Sequence, residues 1–324
     1  MYLGKDENGK NIYKSVTADT KKEAEYLAAE MQLKKKEKAK SDLVLSEAYK
    51  RYINSKKNVL SPSTVLEYIR LSNKSFQALM NKQIDEITLE MIQCEINSYA
   101  LDHSAKSVRN AYGLFSTVMK TYRPDFAVNI RLPQKQKYAR HIPSEYDVRR
   151  LIIASEGKRI QVPILLAAFG SLRRGEIAAL RPADITDKGV NINKAVALNE
   201  KREQFIKQPK SYHEYRFVEL QPWIIQRARS WNGFGMSINC ITAEFSKIVE
   251  AAKIEHIRFH DLRHFYASER HALGVPDKYI MQTGGWAAMS VLQDVYQHTM
   301  QEKQDEFTKR TLNHFEKFNP DRKE

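Results

Sequence analysis

His260-Asp261-Leu262-Arg263, near the C-terminal end, is followed by Gly284-Gly285-Trp286 and then by Asp294-Val295-Tyr296-Gln297-His298. Far upstream stands Ser171-Leu172-Arg173-Arg174-Gly175-Glu176. Two arginines, a histidine and a late tyrosine, in that order in a basic chain, suggest covalent chemistry on a DNA phosphodiester. Breaking that bond without water or metal takes a nucleophile that forms a covalent phosphoryl intermediate. It takes cationic donors for the nonbridging oxygens of a five-coordinate transition state. It also takes a base for the nucleophile's proton and an acid for the leaving oxygen.

Each role has a candidate. Tyr296 is the candidate nucleophile; with an ordinary pKa of about 10 it needs cationic neighbours or a base. Its alternative is a half-buried tyrosine on the Val291–Tyr296 stretch. Arg173 and Arg263 are the candidate phosphate clamp, because planar guanidinium forks match phosphate oxygens and stay charged when desolvated. Arg173 follows the apolar run Ile164–Phe169 and a Gly170-Ser171 break, which places it where a helix ends. Glu176, three residues on, can orient it, and Arg174 reads as a solvated neighbour. His260 and Arg263 are three apart and share a helix face. His260, with an ordinary pKa near 6.5, can accept or donate a proton. The i,i+4 pair His260 and His264 has zinc-type spacing, but no third ligand accompanies it. Lys210, in Gln208-Pro209-Lys210-Ser211, is a candidate general acid, with Lys207 as a competitor. Trp286 offers an indole N–H to a phosphate oxygen but no transferable proton; a core aromatic is its plainer role.

The chain has 324 residues, a formal net charge of +14, 42% hydrophobic and 28% charged residues. That length predicts two or three domains, and that charge favours a polyanionic partner such as nucleic acid. Only Cys94 and Cys240 are present, in no metal-type spacing, which fits a reducing cytosol and no disulfide scaffold. No apolar run has the length of a membrane span, and charge begins at Lys5, so neither a membrane anchor nor a signal peptide is expected.

The organisation reads as mainly α with a small antiparallel sheet, in several domains. Residues 1–40 form a small module and basic linker. Segments Met1–Leu3 and Asn11–Val16 pair across Asn8-Gly9, and Thr20 with Glu23 caps a helix to about Leu33. Lys34 to Lys40 is a basic run, most simply a solvated helix end. Residues 41–123 form a helical domain. One face carries Leu45, Ala48, Tyr49, Tyr52 and Ile53. Further helices span Val65–Met80, Thr88 to Tyr99 and Ser104–Tyr122. Residues 124–141, with two prolines and four lysines or arginines, read as an interdomain linker. Residues 142–324 form a second, mostly helical domain that Pro143-Ser144-Glu145 opens. Val190–Ile192, Phe205–Lys207 and Arg216–Leu220 alternate as one small edge sheet. Residues 303–318 form a terminal amphipathic helix.

Taken together, the arginine motif with Gly175-Glu176, the sheet lysine, the His-x-x-Arg box, the Gly-Trp box and the tyrosine resemble the tyrosine recombinase (phage integrase) family, in the family's order. Tyr296 stands ten residues after Trp286, within the family's spacing. The resemblance covers about the last 180 residues. By position and pattern, the helical domain resembles the family's core-site-binding domain. Residues 1–33 resemble the end of an arm-site-binding module of integrases from Gram-positive phages and conjugative elements.

The resemblance implies that Arg173 and Arg263 bind the scissile phosphate, Lys210 is the general acid, Glu176 supports the site and His260 assists proton transfer. Tyr296 would form a 3′-phosphotyrosyl link and leave a free 5′-hydroxyl, with no cofactor, ATP or metal. Many members carry His where Trp286 stands, and Ser211 replaces the usual threonine beside the lysine. The implied partners are double-stranded attachment-site DNA, a homo-tetramer built on it through the terminal helix, an excisionase and a host DNA-bending protein. The implied setting is the bacterial cytoplasm, at the nucleoid. Two rivals remain: a recombinase that resolves host chromosomes, and a regulator that binds DNA without cleaving it.

Overall fold

The computed structural model describes residues 2–5, 11–13, 18–27, 42–126, 130–134, 141–207, 215–296 and 308–318. The chain divides into two compact units. One comprises Met1–Ser61 and Glu67–Lys135, the other Pro62–Leu66 and Gln136–Glu324.

The first unit opens with two strands, β1 (Tyr2–Lys5) and β2 (Asn11–Tyr13), paired antiparallel with Lys5 opposite Asn11. The Asn8-Gly9 turn expected between them lies outside the described residues. Residues 21–27 are helical, and Thr20 Oγ1 accepts from the Glu23 amide at 3.3 Å. The expected extension to Leu33 and the Lys34–Lys40 run also lie outside the described residues.

Helix α1 (Leu45–Lys56) buries Leu45, Ala48, Tyr49, Tyr52 and Ile53, the face that 3.6-residue spacing predicts. Helix α2 (Pro62–Lys74) stops short of the expected Met80. Ser75 Oγ turns back to Leu71 O at 2.6 Å, and Phe76 adopts a left-handed φ of 53° to put its ring into the core. A hydrophobic pattern that continues through such a break cannot reveal it. Helices α3 (Leu89–Asp102) and α4 (Ala105–Tyr122) start at side-chain caps: Thr88 Oγ1 accepts from the Met91 amide and Ser104 Oγ from the Ser107 amide, each at 3.3 Å. The core collects on α4, where Phe115 meets Phe76 edge to face at 5.4 Å. Each such ring or branched side chain contributes about 1.5–3 kcal/mol on burial.

Within the stretch expected as a linker, residues 130–134 lie against this unit. Gln93 brackets Arg131, accepting from its amide at 3.1 Å and donating to its carbonyl at 3.2 Å. Arg109 forks onto Pro133 O at 3.1 and 2.8 Å. Ile130 and Leu132 pack on the apolar core.

In the second unit, Ser144 and Asp147 form a reciprocal capping box that starts α5 (Glu145–Ala154). Helix α6 (Gln161–Gly170) is apolar on nearly every side, so it can sit only in the interior. Helix α10 (Asp261–Ala272) packs along it. Between them in sequence come α7 (Arg174–Ala179), strands β3 (Gly189–Ile192), β4 (Ala195–Leu198), β5 (Gln204–Lys207) and β6 (Arg216–Glu219), then α8 (Pro222–Arg229) and α9 (Ile238–Ala251). Helices α11 (Asp277–Gly284) and α12 (Met289–Tyr296) follow α10 and pack against it.

The single edge sheet expected from the sequence is two separate antiparallel pairs. Strand β3 pairs with β6, Val190 opposite Val218, and β4 pairs with β5, Val196 opposite Ile206. Strand β4 escaped the sequence reading because Ala-Val-Ala-Leu is a continuous apolar run without alternation. Residues 308–315 are helical and Glu316–Phe318 is a 3-10 turn, with Leu312, Phe315 and Phe318 exposed. Among the described residues, no helix is long and apolar enough to cross a membrane.

Candidate active site

The packing of α6 on α10 brings the C-terminal end of one beside the N-terminal turn of the other. Ser171 ends α6 in a left-handed conformation, φ 57° and ψ 27°. This turns its carbonyl toward α10, where Arg263 Nη1 donates to it at 2.6 Å. Two residues on, Arg173 occupies the N-cap of α7. Glu176, in the first turn, reaches back to the Arg173 amide at 2.7 Å and takes Arg173 Nη1 at 2.7 Å. The Arg-x-x-Glu spacing therefore gives one carboxylate both the free amide of a helix start and the guanidinium beside it.

The third strand of the site comes from α11. That helix closes with Gly285 at φ +68°, a conformation that glycine adopts without steric cost. The turn aims the Gly285 carbonyl at two guanidiniums: Arg173 Nη2 donates to it, and Arg263 Nη2 does so at 3.3 Å. Arg173 and Arg263, ninety residues apart in sequence, thus share one acceptor. Trp286 follows, buried, with its ring 3.8 Å beneath the Arg263 guanidinium carbon. A cation stacked on indole in a dry setting gains about 2 kcal/mol.

Sequence reasoning missed Arg216 on β6. It is almost wholly buried and donates to both oxygens of Glu176, at 2.9 and 2.8 Å, and from Nε to Thr283 O at 3.0 Å. A signal was present. In Arg216-Phe217-Val218-Glu219 the alternation puts Val218 inward, and Arg216 shares its parity while Phe217 faces out. A charged residue on the apolar parity of a strand marks a buried partner elsewhere.

The electrostatics follow from this arrangement. Burial raises the Glu176 carboxyl pKa, but the hydrogen bonds and charges of Arg216 and Arg173 outweigh it and hold the group below the usual carboxylate range. Burial also presses the Arg263 pKa well down, aided by repulsion from Arg173 and Arg216 and opposed by Glu176. Three guanidiniums face one carboxylate, so the cluster carries excess positive charge suited to an oxyanion. Arg173 is the member with side-chain surface to offer, 37% exposed against 4% for Arg216.

His260 stands at the start of α10, in a turn that Arg258 and Asp261 tie down. Asp261 accepts the Arg258 amide at 2.8 Å and its guanidinium at 3.2 and 2.9 Å. Desolvation of the imidazole and the positive charge of Arg263, against the pull of Asp261, lower its pKa to about 4. The residue as a whole is exposed, so water screens part of this effect. The direction leaves a neutral ring, able to accept a proton, at pH 7. The His264 ring meets His260 edge-on at 5.0 Å. Among the described residues, no three His, Cys, Asp or Glu side chains gather as metal ligands.

The remaining candidates are placed only in part. Tyr296 ends α12, one turn beyond Leu292, which is fully buried with Trp286 and Ile280. Its side chain and the whole of Lys210 lie outside the described residues. Lys207 ends β5, half-buried. Arg174 is not the solvated neighbour expected: it is half-buried and donates to Thr242 Oγ1 on α9. Its guanidinium meets α9 because α7 packs between β4 and that helix.

Residues 144–303 match the phage integrase family. Over those residues the chain resembles that family, the tyrosine recombinases. It is 22% identical to a tyrosine recombinase XerC-like protein of Caldanaerobacter subterraneus subsp. tengcongensis, over 92% of this chain and 91% of that protein. Among solved structures it resembles the Tn1549 transposon integrase in complex with a circular intermediate DNA, with a TM-score of 0.69 and 14% identity over 83% of this chain and 99% of that one. It also resembles a lambda integrase tetramer bound to a Holliday junction, with a TM-score of 0.63 and 14% identity over 92% of each chain. These structural likenesses establish the mainly helical fold with its small antiparallel strand pairs.

Proposed function

We propose that the chain is a site-specific DNA recombinase that integrates a mobile element, and excises it in reverse, through a 3′-phosphotyrosyl intermediate. The observation that carries this reading is the union of Arg173 and Arg263 on the Gly285 carbonyl, with Glu176 beside them and His260 close enough to feel the charge of both arginines. Arg173 and Arg263 bind the nonbridging oxygens of the scissile phosphate and stabilise the charge that builds there. His260 takes the phenolic proton, and the Tyr296 oxygen attacks phosphorus. The bond to the 5′-oxygen breaks, and Lys210 protonates that oxygen. A 5′-hydroxyl from a partner strand then attacks the phosphotyrosine, reforms the diester and returns the phenol. Each step exchanges one phosphate ester for another, so neither ATP nor a metal enters. Trp286 supports the clamp as the slab under Arg263.

The net charge of +14 suits a duplex partner. The lambda integrase relative is a tetramer on a Holliday junction, which supports a homo-tetramer on DNA here. The domain scheme is a core-site-binding domain at 41–123 and a catalytic domain at 142–324, joined through 124–141 and preceded by an arm-type module at 1–40. An excisionase and a host DNA-bending protein complete the assembly in the bacterial cytoplasm. The XerC-like relative, matched nearly end to end, favours a second reading, resolution of the host chromosome.

Incubation with a nicked attachment-site duplex, without added metal, tests the reading. A covalent protein–DNA adduct on a denaturing gel, lost in Tyr296→Phe, is the expected result. Adduct formation only on chromosomal resolution sites would select the second reading. A metal-dependent cut without an adduct would overturn the mechanism, and binding without cleavage would leave a regulator.

A further inference from the structure

We infer that Arg216 is a positioning residue of this reaction: it fastens Glu176 to the α11 turn and thereby sets Arg173 and the Gly285 carbonyl at the phosphate clamp. The inference rests on the function proposed above.

Arg216 spends its guanidinium on two different parts of the site. Nη1 and Nη2 hold both oxygens of Glu176, at 2.9 and 2.8 Å, while Nε holds the Thr283 carbonyl at 3.0 Å. Glu176 fixes the Arg173 amide and Nη1. Thr283 immediately precedes Gly284-Gly285, whose carbonyl receives both clamp arginines. Arg216 also packs under that turn: a Cβ at Gly285 would lie 2.9 Å from its Nη1. One buried side chain thus fixes the distance between α7, which carries Arg173, and the turn that both arginines grip.

Two consequences follow from removing it. Glu176 is left with Arg173 as its hydrogen-bonded cation, so Arg173 is drawn toward a closed pair and away from the phosphate. Thr283 loses the donor that holds the Gly284-Gly285 turn. Lysine can substitute only in part, because a single ammonium on a flexible stem cannot span a carboxylate and a carbonyl with fixed geometry. A merely structural ion pair predicts something different, namely fewer folded molecules with the same chemistry in each.

The test uses the full chain and the nicked attachment-site duplex in single turnover, with duplex affinity measured separately. Arg216→Gln should slow adduct formation by about 10²-fold, the loss typical of misplaced reacting groups. Affinity should change little, since backbone contacts throughout the interface carry it. Arg216→Lys should recover only part of the rate. The double variant Arg216→Gln with Glu176→Gln should be no slower than the slower single variant, as expected of two groups acting through one contact. Wild-type rate in Arg216→Gln, parallel loss of rate and bound fraction, or multiplying effects in the double variant would each overturn the inference. Should Arg216→Gln fail to fold, Arg216→Lys decides: a folded variant at wild-type rate overturns it, and a folded slow variant supports it. No adduct from the wild type would refute the proposed function and this inference together, whereas an active wild type with unaffected variants refutes this inference alone.

Discussion

Replacing Glu176 with glutamine keeps the shape of the side chain and removes the charge that three guanidiniums surround. The carboxylate is buried and accepts from Arg216 twice, from the Arg173 side chain and from the Arg173 amide. Removing one partner of a buried ion pair costs about 3–5 kcal/mol. Glutamine keeps one acceptor oxygen, so the low end applies, about 3 kcal/mol. For a unit of this size each kcal/mol moves the unfolding midpoint by about 2–4 °C, which gives a fall of about 6–12 °C. Trp223, Trp231 and Trp286 are the chain's only tryptophans, and all lie between Gln136 and Glu324. Tryptophan fluorescence on heating therefore follows this unit alone. The pH dependence has a definite sign. Although burial opposes it, Arg216 and Arg173 lower the Glu176 pKa, so its ionised form stabilises the fold above the ordinary carboxylate value of about 4.3. That stabilisation disappears as pH falls through the lowered value. The gap between wild type and variant is thus full at pH 7 and narrows in acid. A variant that melts within about 2 °C of wild type at pH 7, or a gap unchanged in acid, would refute the reasoning.

Gly284→Ala places a Cβ 1.7 Å from a Trp286 ring carbon, which forces the slab under Arg263 to move. It should cost about 1–3 kcal/mol and shift the tryptophan emission; an unshifted spectrum and midpoint would count against the packing described. Ser171→Gly should raise the midpoint by about 2–4 °C, roughly 1 kcal/mol. It relieves a left-handed φ and removes a buried hydroxyl that has no hydrogen-bond partner among the described residues. A lower midpoint in the same melting assay speaks against that account. His260, whose pKa desolvation of its ring and the charge of Arg263 press down toward about 4 against screening by water, is neutral at pH 7. The rate of adduct formation should show no inflection near pH 6.5; one that His260→Gln abolishes would show that the ring titrates normally.

The helices were legible in the sequence where apolar spacing and a capping residue coincide. Thr88, Ser104 and Ser144 each accept the amide that their position predicts. The buried face of α1 follows from Leu45, Ala48, Tyr49, Tyr52 and Ile53 alone. The break at Ser75-Phe76 and the strand Ala195–Leu198 were not legible. In the first, tertiary burial of one ring overrides helix continuation; in the second, a short apolar run fits several structures equally well.

The candidate site divides in the same way. The chain by itself determined which residue types are available and which share a helical turn, because contacts three or four residues apart are fixed by the geometry of the backbone. Glu176 on the Arg173 amide is such a contact, and so is Asp261 on the Arg258 amide. Only the packed fold decided that the Gly285 carbonyl serves Arg173 and Arg263 together, that Trp286 lies under Arg263, and that Arg216 joins Glu176 to Thr283. Those contacts span tens of residues or more. They exist because α6, α10, α11 and β6 bury their apolar faces against one another, and burying those faces brings the polar groups at their ends into a common space where each must find a partner.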